Sequence, residues 1–210
     1  MFELARRLNR LEKLLDRAQL SAIDSDQIVL INGVNWQIYE GLLESLQDSS
    51  EFRVSYLDGI LRIMSPSRRH ESEKKRIAML LETYFIEMGV DFYPLGSTTF
   101  REQSVARGIE PDECYCIDSE KAVPDLAIEV VVTSGGIDSL DIYRGLNVPE
   151  VWFWQDGSLS LYLLQENGYQ KRDRSQFLPD LNLELLARYV LSPAKPKDIL
   201  FEFRQQFKSL

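Results

Sequence analysis

Residues 122–145, AVPDLAIEVVVTSGGIDSLDIYRG, combine a strongly apolar run, a glycine break and a short amphipathic segment. DLAIEVVV is typical of a buried strand, and the two glycines of TSGG give the backbone freedom to leave the sheet. IDSLDIYRGL then predicts a short helix, and EVWFWQ predicts a further strand. A strand–helix–strand order favours two parallel strands, because the helix carries the chain back to the starting end of the sheet.

Outward from this stretch, strands and helices continue to alternate. FRVSYL and ILRIMS flank Asp58-Gly59, a dipeptide typical of β-hairpin turns. An apolar stripe from His70 to Met88 predicts a long helix that ends at Gly89. DECYCI predicts a short strand, whereas QSVARGIEP is interpreted as a loop. The predicted fold class is therefore α/β or α+β, with a mixed central β-sheet flanked by helices and β-hairpins.

The length of the chain, 210 residues, predicts one folded domain with a substantial core. Residues 1–24 begin with MFELARRLNRLEKLLDRAQL, whose leucines recur at helical spacing. We expect an amphipathic N-terminal helix there, which is a candidate dimer element. Residues 25–192 are predicted to form the domain, and residues 193–210 a C-terminal tail.

The composition of the chain narrows the cellular compartment and the partners that can be expected. The longest apolar runs fall short of the roughly 20 residues that a membrane helix needs, and the N-terminal segment lacks the apolar core of a secretory signal. Two neighbouring cysteines and one histidine indicate neither a disulfide framework nor a zinc site. We therefore expect a cytoplasmic protein without a membrane partner.

The charge balance opposes a general electrostatic attraction to nucleic acid, since the formal net charge is −9. A local attraction remains open, because SRRHESEKKR concentrates basic side chains near the start of the long helix. These residues either lie exposed to solvent at the start of a helix or contact the phosphate backbone of a nucleic acid. The candidates for such contacts are Arg68, Arg69, Lys74 and Lys75.

Two acids fall within the apolar strand, and side-chain alternation puts Asp125 and Glu129 on the same face. They are four residues apart, roughly 13 Å, which is too far for one ion to bridge directly. Asp112 precedes Glu129 by 17 residues, which allows a strand, a turn and an antiparallel return. Asp112 is therefore the expected partner of Glu129 on an adjoining strand, and Glu113, on the opposite face, is the second choice.

Two carboxylates on neighbouring strands repel each other unless one is protonated or a cation lies between them. An all-oxygen site suits magnesium (Mg²⁺) or manganese (Mn²⁺), which can activate water and stabilise a phosphate leaving group. The alternative is that Glu129 pairs with an arginine or caps a loop.

The motifs EPDECY, VPDLAIEVVVTSGG and IYRGLNVPEVWFW, with RIMSPSRRH before the long helix, resemble the Uma-two family, a bacterial group classed with restriction endonucleases. The resemblance covers roughly residues 25 to 190 and extends to the PD-(D/E)XK nuclease superfamily. It implies a restriction-endonuclease-like mixed sheet flanked by helices, and metal binding by Asp112 and Glu129. It also implies DNA as the substrate, and a homodimer, since cutting both strands takes two active sites.

The resemblance further implies a catalytic lysine that this chain lacks. The superfamily position, two residues after the second acid, is Val131. In the resembling family the lysine stands in the following helix, four residues before the tyrosine of YRGLNV, and here that position is Ser139. Losing one preorganised donor costs about 10²–10³ in rate, so impaired catalysis is expected. Lys121 and Arg144 are candidate substitutes.

An acid from the first long helix sometimes adds a metal ligand in the superfamily, and Glu71 holds that place here. The alternative is that Glu71 is a first-turn acid favoured by the helix dipole.

Two functions follow from these expectations. The first is an Mg²⁺-dependent endonuclease that hydrolyses DNA phosphodiester bonds at Asp112 and Glu129. The second is a catalytically inactive nuclease fold that binds nucleic acid or protein, which the neutral Ser139 and the acidic balance favour.

Overall fold

The computed structural model describes residues 25–46, 51–133 and 137–207, and their strands form two β-sheets. The strands of the first sheet are β1 (Gln27–Asn32), β2 (Arg53–Leu57), β3 (Ile60–Ser65), β5 (Phe100–Glu102) and β6 (Arg107–Ile109). Those of the second sheet are β4 (Phe92–Pro94), β7 (Glu113–Ile117), β8 (Leu126–Val131), β9 (Glu150–Gln155), β10 (Ser158–Gln165) and β11 (Gly168–Arg172). Their orders are β1-β3-β2-β6-β5 and β11-β10-β9-β8-β7-β4.

Helices pack on both sheets, and within the described ranges there are five. They are α1 (Trp36–Leu46), α2 (Arg68–Met88), α3 (Ser139–Gly145), α4 (Leu183–Val190) and α5 (Pro196–Gln205). β8 and β9 pair in parallel around α3, and β7 pairs antiparallel with β8. The mixed α+β class that the sequence predicts is confirmed, whereas the predicted N-terminal helix over residues 1–24 lies outside the described residues.

Local sequence signals explain where the main elements begin and end. Asp58 and Gly59 have φ of 46° and 87°, the left-handed conformations that a tight hairpin turn requires between β2 and β3. Ser67 caps α2 by accepting a hydrogen bond from the backbone N–H of His70 at 3.1 Å. Gly89 ends the same helix with φ of 67°. The chain therefore delivers the start of α2 directly from the end of β3.

The second sheet is covered on both faces. Alternate side chains of β8, such as Leu126 and Ile128, pack with α2, α4 and α5 in the largest hydrophobic cluster. On the opposite face, Ala127 packs with α3 and with the end of β6. Glu129 shares the Ala127 face by strand alternation. Its carboxylate therefore lies in the layer between the second sheet and α3.

Three features differ from the sequence-based expectations. The structure has two sheets where one central sheet was expected, and α5 occupies much of the expected C-terminal tail, with Phe203 fully buried. The expected loop QSVARGIEP contains β6, which bridges β2 and β5. No helix within the described ranges combines the length and the apolarity needed to span a bilayer.

Candidate active site

Two antiparallel strands bring Asp112 opposite Glu129. The register of β7 and β8 pairs Glu113 with Ile128, and one further step along both chains reaches Asp112 and Glu129. Asp112 is buried, and its Oδ2 accepts a hydrogen bond from the backbone N–H of Val130 at 2.8 Å. The residue that precedes β7 is therefore fixed against the strand that carries Glu129.

Asp125 lies at the other end of β8. Its Oδ2 accepts hydrogen bonds from the Ile117 N–H at 2.7 Å and from the Lys121 ammonium at 2.5 Å. Asp125 thus stabilises the β7–β8 connection, and Lys121 is committed to that end of the strand. Lys121 is therefore not placed to supply a cation beside Glu129.

Glu129 is half-buried beside a second acid, and its pKa reflects both conditions. Burial raises the pKa most, and the charge of Asp112 raises it further. A hydrogen bond from the Tyr143 hydroxyl and the charges of Arg62 and His70 lower it, leaving a pKa of about 8. At neutral pH the acid pair therefore holds a proton in the absence of another cation.

His70, fully buried at the start of α2, bridges two aspartates. Its Nε2 lies 2.8 Å from Oδ1 of Asp112, and its Nδ1 lies 3.2 Å from Oδ2 of Asp26. Burial lowers the pKa of His70, but the hydrogen bonds and charges of the two aspartates outweigh it and raise the pKa to about 10. His70 is therefore an imidazolium that donates from both nitrogens, which excludes a general-base role and fixes the orientation of Asp112.

Asp26 is held from two directions in turn. Its Oδ1 accepts the Ser67 N–H at 2.8 Å, and its own N–H donates to the Thr133 hydroxyl at 3.0 Å. Burial raises the pKa of Asp26, but the hydrogen bond from His70 and further hydrogen bonds give a net lowering. The link from Asp26 through His70 to Asp112 is therefore ionic throughout.

Glu71 does not join Asp112 and Glu129. Its carboxylate lies 2.8 Å from the Lys74 ammonium and 3.5 Å from the Arg53 guanidinium. Within the described ranges no group of three or more histidine, cysteine or acidic side chains is arranged to hold a metal ion. A role for Glu71 as a third ligand therefore stays a prediction, and in this structure its carboxylate contacts two cations.

Arg53 extends this cluster toward the acid pair. Its Nη1 lies 3.2 Å from Glu110, and its Nε lies 4.0 Å from Asp112. Burial raises the pKa of Glu110, Arg53 opposes the rise, and Asp112 adds to it, leaving a pKa of about 7. A second acid near Asp112 is therefore close to half-protonated at neutral pH.

The basic residues of α2 divide into buried and exposed ones. Lys74 is buried against Glu71, so its expected contact with a nucleic-acid backbone stays a prediction that the burial of this side chain does not favour. Arg68 and Arg69 are exposed at the start of the helix, and Arg69 pairs with Glu73 at 2.9 Å. Lys75 is exposed and pairs with Glu113 at 3.1 Å. The accessible basic surface is therefore smaller than the sequence suggests.

An open cavity of about 330 Å³ adjoins the end of β8, and its lining includes Phe153, which pairs with Glu129 in the β8–β9 register. Val131 and Ser139, the two positions at which the nuclease resemblance implies a lysine, both line it. Arg62 of β3 reaches the same cavity from the first sheet. Arg144, in contrast, is exposed and pairs with Asp141 at 2.5 Å, so it does not replace the lysine in this structure.

Sequence reasoning did not assign site roles to Arg62, Tyr143 or Asp26. Tyr143 lies in the helix that the sequence predicts, but the partner of its hydroxyl depends on how α3 packs over β8. Arg62 interrupts an apolar hairpin strand between Leu61 and Ile63, and this interruption was the available signal.

Comparison with known proteins supplies the family. No curated protein matches the chain. A family model described as "Uma2: Putative restriction endonuclease" matches residues 37–194, which is about three quarters of the sequence and includes Asp112, Glu129 and Ser139. The chain therefore belongs to the Uma2 family.

Proposed function

We propose that this chain is an Mg²⁺- or Mn²⁺-dependent endonuclease of the PD-(D/E)XK superfamily that hydrolyses DNA phosphodiester bonds. The observation that carries the proposal is the position of Asp112 opposite Glu129, with the pKa of Glu129 raised to about 8 by burial and by its neighbour. An acid pair held in this way favours a cation. The family match supplies the substrate class.

The two carboxylates fit a small hard cation. Mg²⁺ in proteins is commonly held by one or two carboxylates together with water and substrate phosphate oxygens, so a third side-chain ligand is not required. Asp112 and Glu129 would hold the ion. When bound, it would supply Lewis-acid chemistry by lowering the pKa of water and offsetting charge on the phosphate.

The surrounding residues keep the two acids in place. His70 fixes Asp112 through a 2.8 Å hydrogen bond, and Tyr143 donates its hydroxyl proton to Glu129. DNA would approach along the start of α2, where the exposed side chains of Arg68, Arg69 and Lys75 can contact phosphates. The pairing of Arg69 with Glu73 and of Lys75 with Glu113 favours modest affinity that decreases with salt.

Metal binding is the first test, measured by calorimetric titration with manganese. The parent should bind the ion, and Glu129→Gln should bind it at least tenfold more weakly because a neutral amide replaces one of two ligands. Glu120→Gln is the matched control, since Glu120 is an exposed acid between β7 and β8. A parent without binding, or a Glu129→Gln variant that binds equally well, contradicts the proposal.

Plasmid nicking with magnesium or manganese tests the reaction itself. Parent protein should convert supercoiled plasmid to nicked circles, and Glu129→Gln and Asp112→Asn should each be at least 10²-fold slower. Ser139→Lys tests impairment. A faster variant shows that the missing lysine limits the parent, whereas an equal rate indicates that another cation already serves the site.

Cleavage of both strands of a duplex requires two active sites, so we include a homodimer in the proposal. Light scattering coupled to size exclusion measures the mass in solution directly. A mass near twice the 24.3 kDa of one chain supports the dimer, and a monomeric mass removes this part of the proposal.

A binding module without catalysis is the second candidate, and the uncharged Ser139 beside Val131 in the cavity favours it. It predicts duplex binding without nicking and without manganese binding. The manganese titration and the plasmid assay above therefore separate the two candidates.

A further inference from the structure

Arg62 is the cationic side chain in the cavity that adjoins the end of β8. Among the described residues that line this cavity, Arg62 is the only arginine or lysine. It is half-buried on β3, and its Nη2 donates to the Met64 sulfur at 3.1 Å. No carboxylate within the described ranges lies at ion-pair distance from it. Because sulfur is a weak acceptor, most of the guanidinium donors are available to a ligand.

The cavity places Arg62 close to Glu129. Arg62 shares its lining with Val131, two residues beyond Glu129 on the same face of β8, and with Phe153, the partner of Glu129 in the parallel β8–β9 register. The cavity volume of about 330 Å³ falls at the lower end of the range for ligand pockets, which is enough for a phosphodiester and part of its sugar. Phe153 and Tyr162 also line it, with ring centroids 5.7 Å apart in an edge-to-face arrangement.

A phosphodiester in this cavity would lie next to Asp138, which lines it, and near Glu129, whose strand partner Phe153 lines it. The charge of the phosphodiester itself increases as water attacks it. A cation on the substrate side is therefore needed in addition to any ion that the acids hold. A guanidinium suits this role because it stays charged and its planar donors match two phosphate oxygens at once.

We propose that Arg62 binds the scissile phosphodiester in the cavity and offsets its developing negative charge, in place of a lysine at position 139. This inference rests on the proposed endonuclease function. Other nearby cations are committed elsewhere, since Arg53 contacts acids on its own side of the site and His70 is enclosed between two aspartates.

The test compares the parent with Arg62→Gln, and with Arg172→Gln as the control, because Arg172 is an exposed arginine on the edge strand β11. Fluorescence anisotropy with a short DNA duplex in EDTA measures affinity without metal. Arg62→Gln should bind at least threefold more weakly than the parent, and it should nick plasmid at least 10²-fold more slowly when metal is present. Arg172→Gln should match the parent in both measurements.

Manganese titration distinguishes loss of phosphate binding from damage to the acid pair. Arg62→Gln should bind manganese as tightly as the parent or more tightly, because a neighbouring positive charge has been removed. The double variant Arg62→Gln/Ser139→Lys should recover at least tenfold of the lost nicking rate, since it returns a cation to the same cavity from α3.

Several results would overturn the inference while leaving the endonuclease intact. One is an Arg62→Gln variant that nicks plasmid at the parental rate. Another is a double variant Arg62→Gln/Ser139→Lys that nicks plasmid as slowly as Arg62→Gln alone. Loss of manganese binding in Arg62→Gln also overturns it, because a phosphate-binding cation is not needed to hold the ion. If the parent neither cuts plasmid nor binds manganese, the proposed endonuclease function fails. In that case, equal duplex affinity of the parent and Arg62→Gln in EDTA overturns the Arg62 assignment as well.

Discussion

The buried imidazolium of His70 should make the stability of the metal-free protein depend on pH. His70 donates to Asp26 and Asp112, and the pKa of the folded form is raised from 6.5 to about 10. A raised histidine pKa contributes stability that is fully present below the unfolded value and is lost as pH rises through the folded value. The window for this loss therefore runs from about pH 6.5 to about pH 10.

The magnitude follows from the same two pKa values. A shift of one pKa unit corresponds to 1.36 kcal/mol, so His70 contributes about 5 kcal/mol at pH 6 and about 3 kcal/mol at pH 8. Removal of one partner from a buried ion pair typically costs 3–5 kcal/mol, which agrees with the value at pH 6. The expected loss between the two pH values is therefore about 2 kcal/mol.

Urea unfolding in EDTA at pH 6 and pH 8 measures this loss, with Asp26→Asn/His70→Gln as the reference. In the reference, an amide pair replaces the ionic pair, while Asp112 keeps its hydrogen bond from the Val130 N–H and its contact with Arg53. The difference in the free energy of unfolding between parent and reference should shrink by about 2 kcal/mol as the pH rises. A difference that is the same at both pH values refutes the assignment of an imidazolium.

Further predictions concern Glu129 and the core. Glu129→Gln should raise the stability of the metal-free protein at pH 8 by on the order of 3 kcal/mol in urea unfolding, because a carboxyl whose folded pKa is raised destabilises the folded state above its unfolded pKa. Manganese binding at pH 7 should release close to one proton, since the pKa of Glu129 is about 8, and calorimetry in two buffers of different ionisation enthalpy detects it. Tyr143→Phe should weaken manganese binding at pH 7 about threefold to tenfold, because the Tyr143 hydrogen bond lowers the pKa of Glu129. Gly108→Ala should lower the free energy of unfolding by about 1–3 kcal/mol, because a Cβ there would lie 2.1 Å from the hydroxyl of the buried Tyr39.

The sequence predicted the parts of the fold that depend on local patterns. The apolar run of β8, the Asp58-Gly59 turn and the Gly89 cap each act over a few residues, so their consequences can be deduced from neighbours alone. The pairing of Asp112 with Glu129 across β7 and β8 also follows from strand alternation and a short connection. The structure has these features where the patterns predict them.

The parts that the sequence did not predict depend on contacts between distant segments. β6 has three residues and a central Gly108, which gives no strand pattern, and it forms only because β2 and β5 lie on either side. Lys74 stands three residues after Glu71, a spacing visible in the sequence, but its burial depends on the packing around Arg53. Counting basic residues in the sequence therefore overestimated the basic surface that is exposed to nucleic acid.

The charges around the acid pair nearly cancel before Glu129 is counted, and this balance gives the strongest physical reason to expect a cation there. Three cations face three acids, with each group in hydrogen-bond or ion-pair contact with the network: His70, Arg53 and Lys74 against Asp26, Asp112 and Glu71. Glu129 and Glu110 then remain, with Arg62 as a further cation near Glu129, and both acids have raised pKa values, about 8 and about 7. Without metal the site removes their negative charge by binding protons, which neutralises the acids but leaves no Lewis acid. A divalent ion held by Asp112 and Glu129 would offset this negative charge, so Glu129, which destabilises the metal-free fold, is also one of the two acids that would bind the ion.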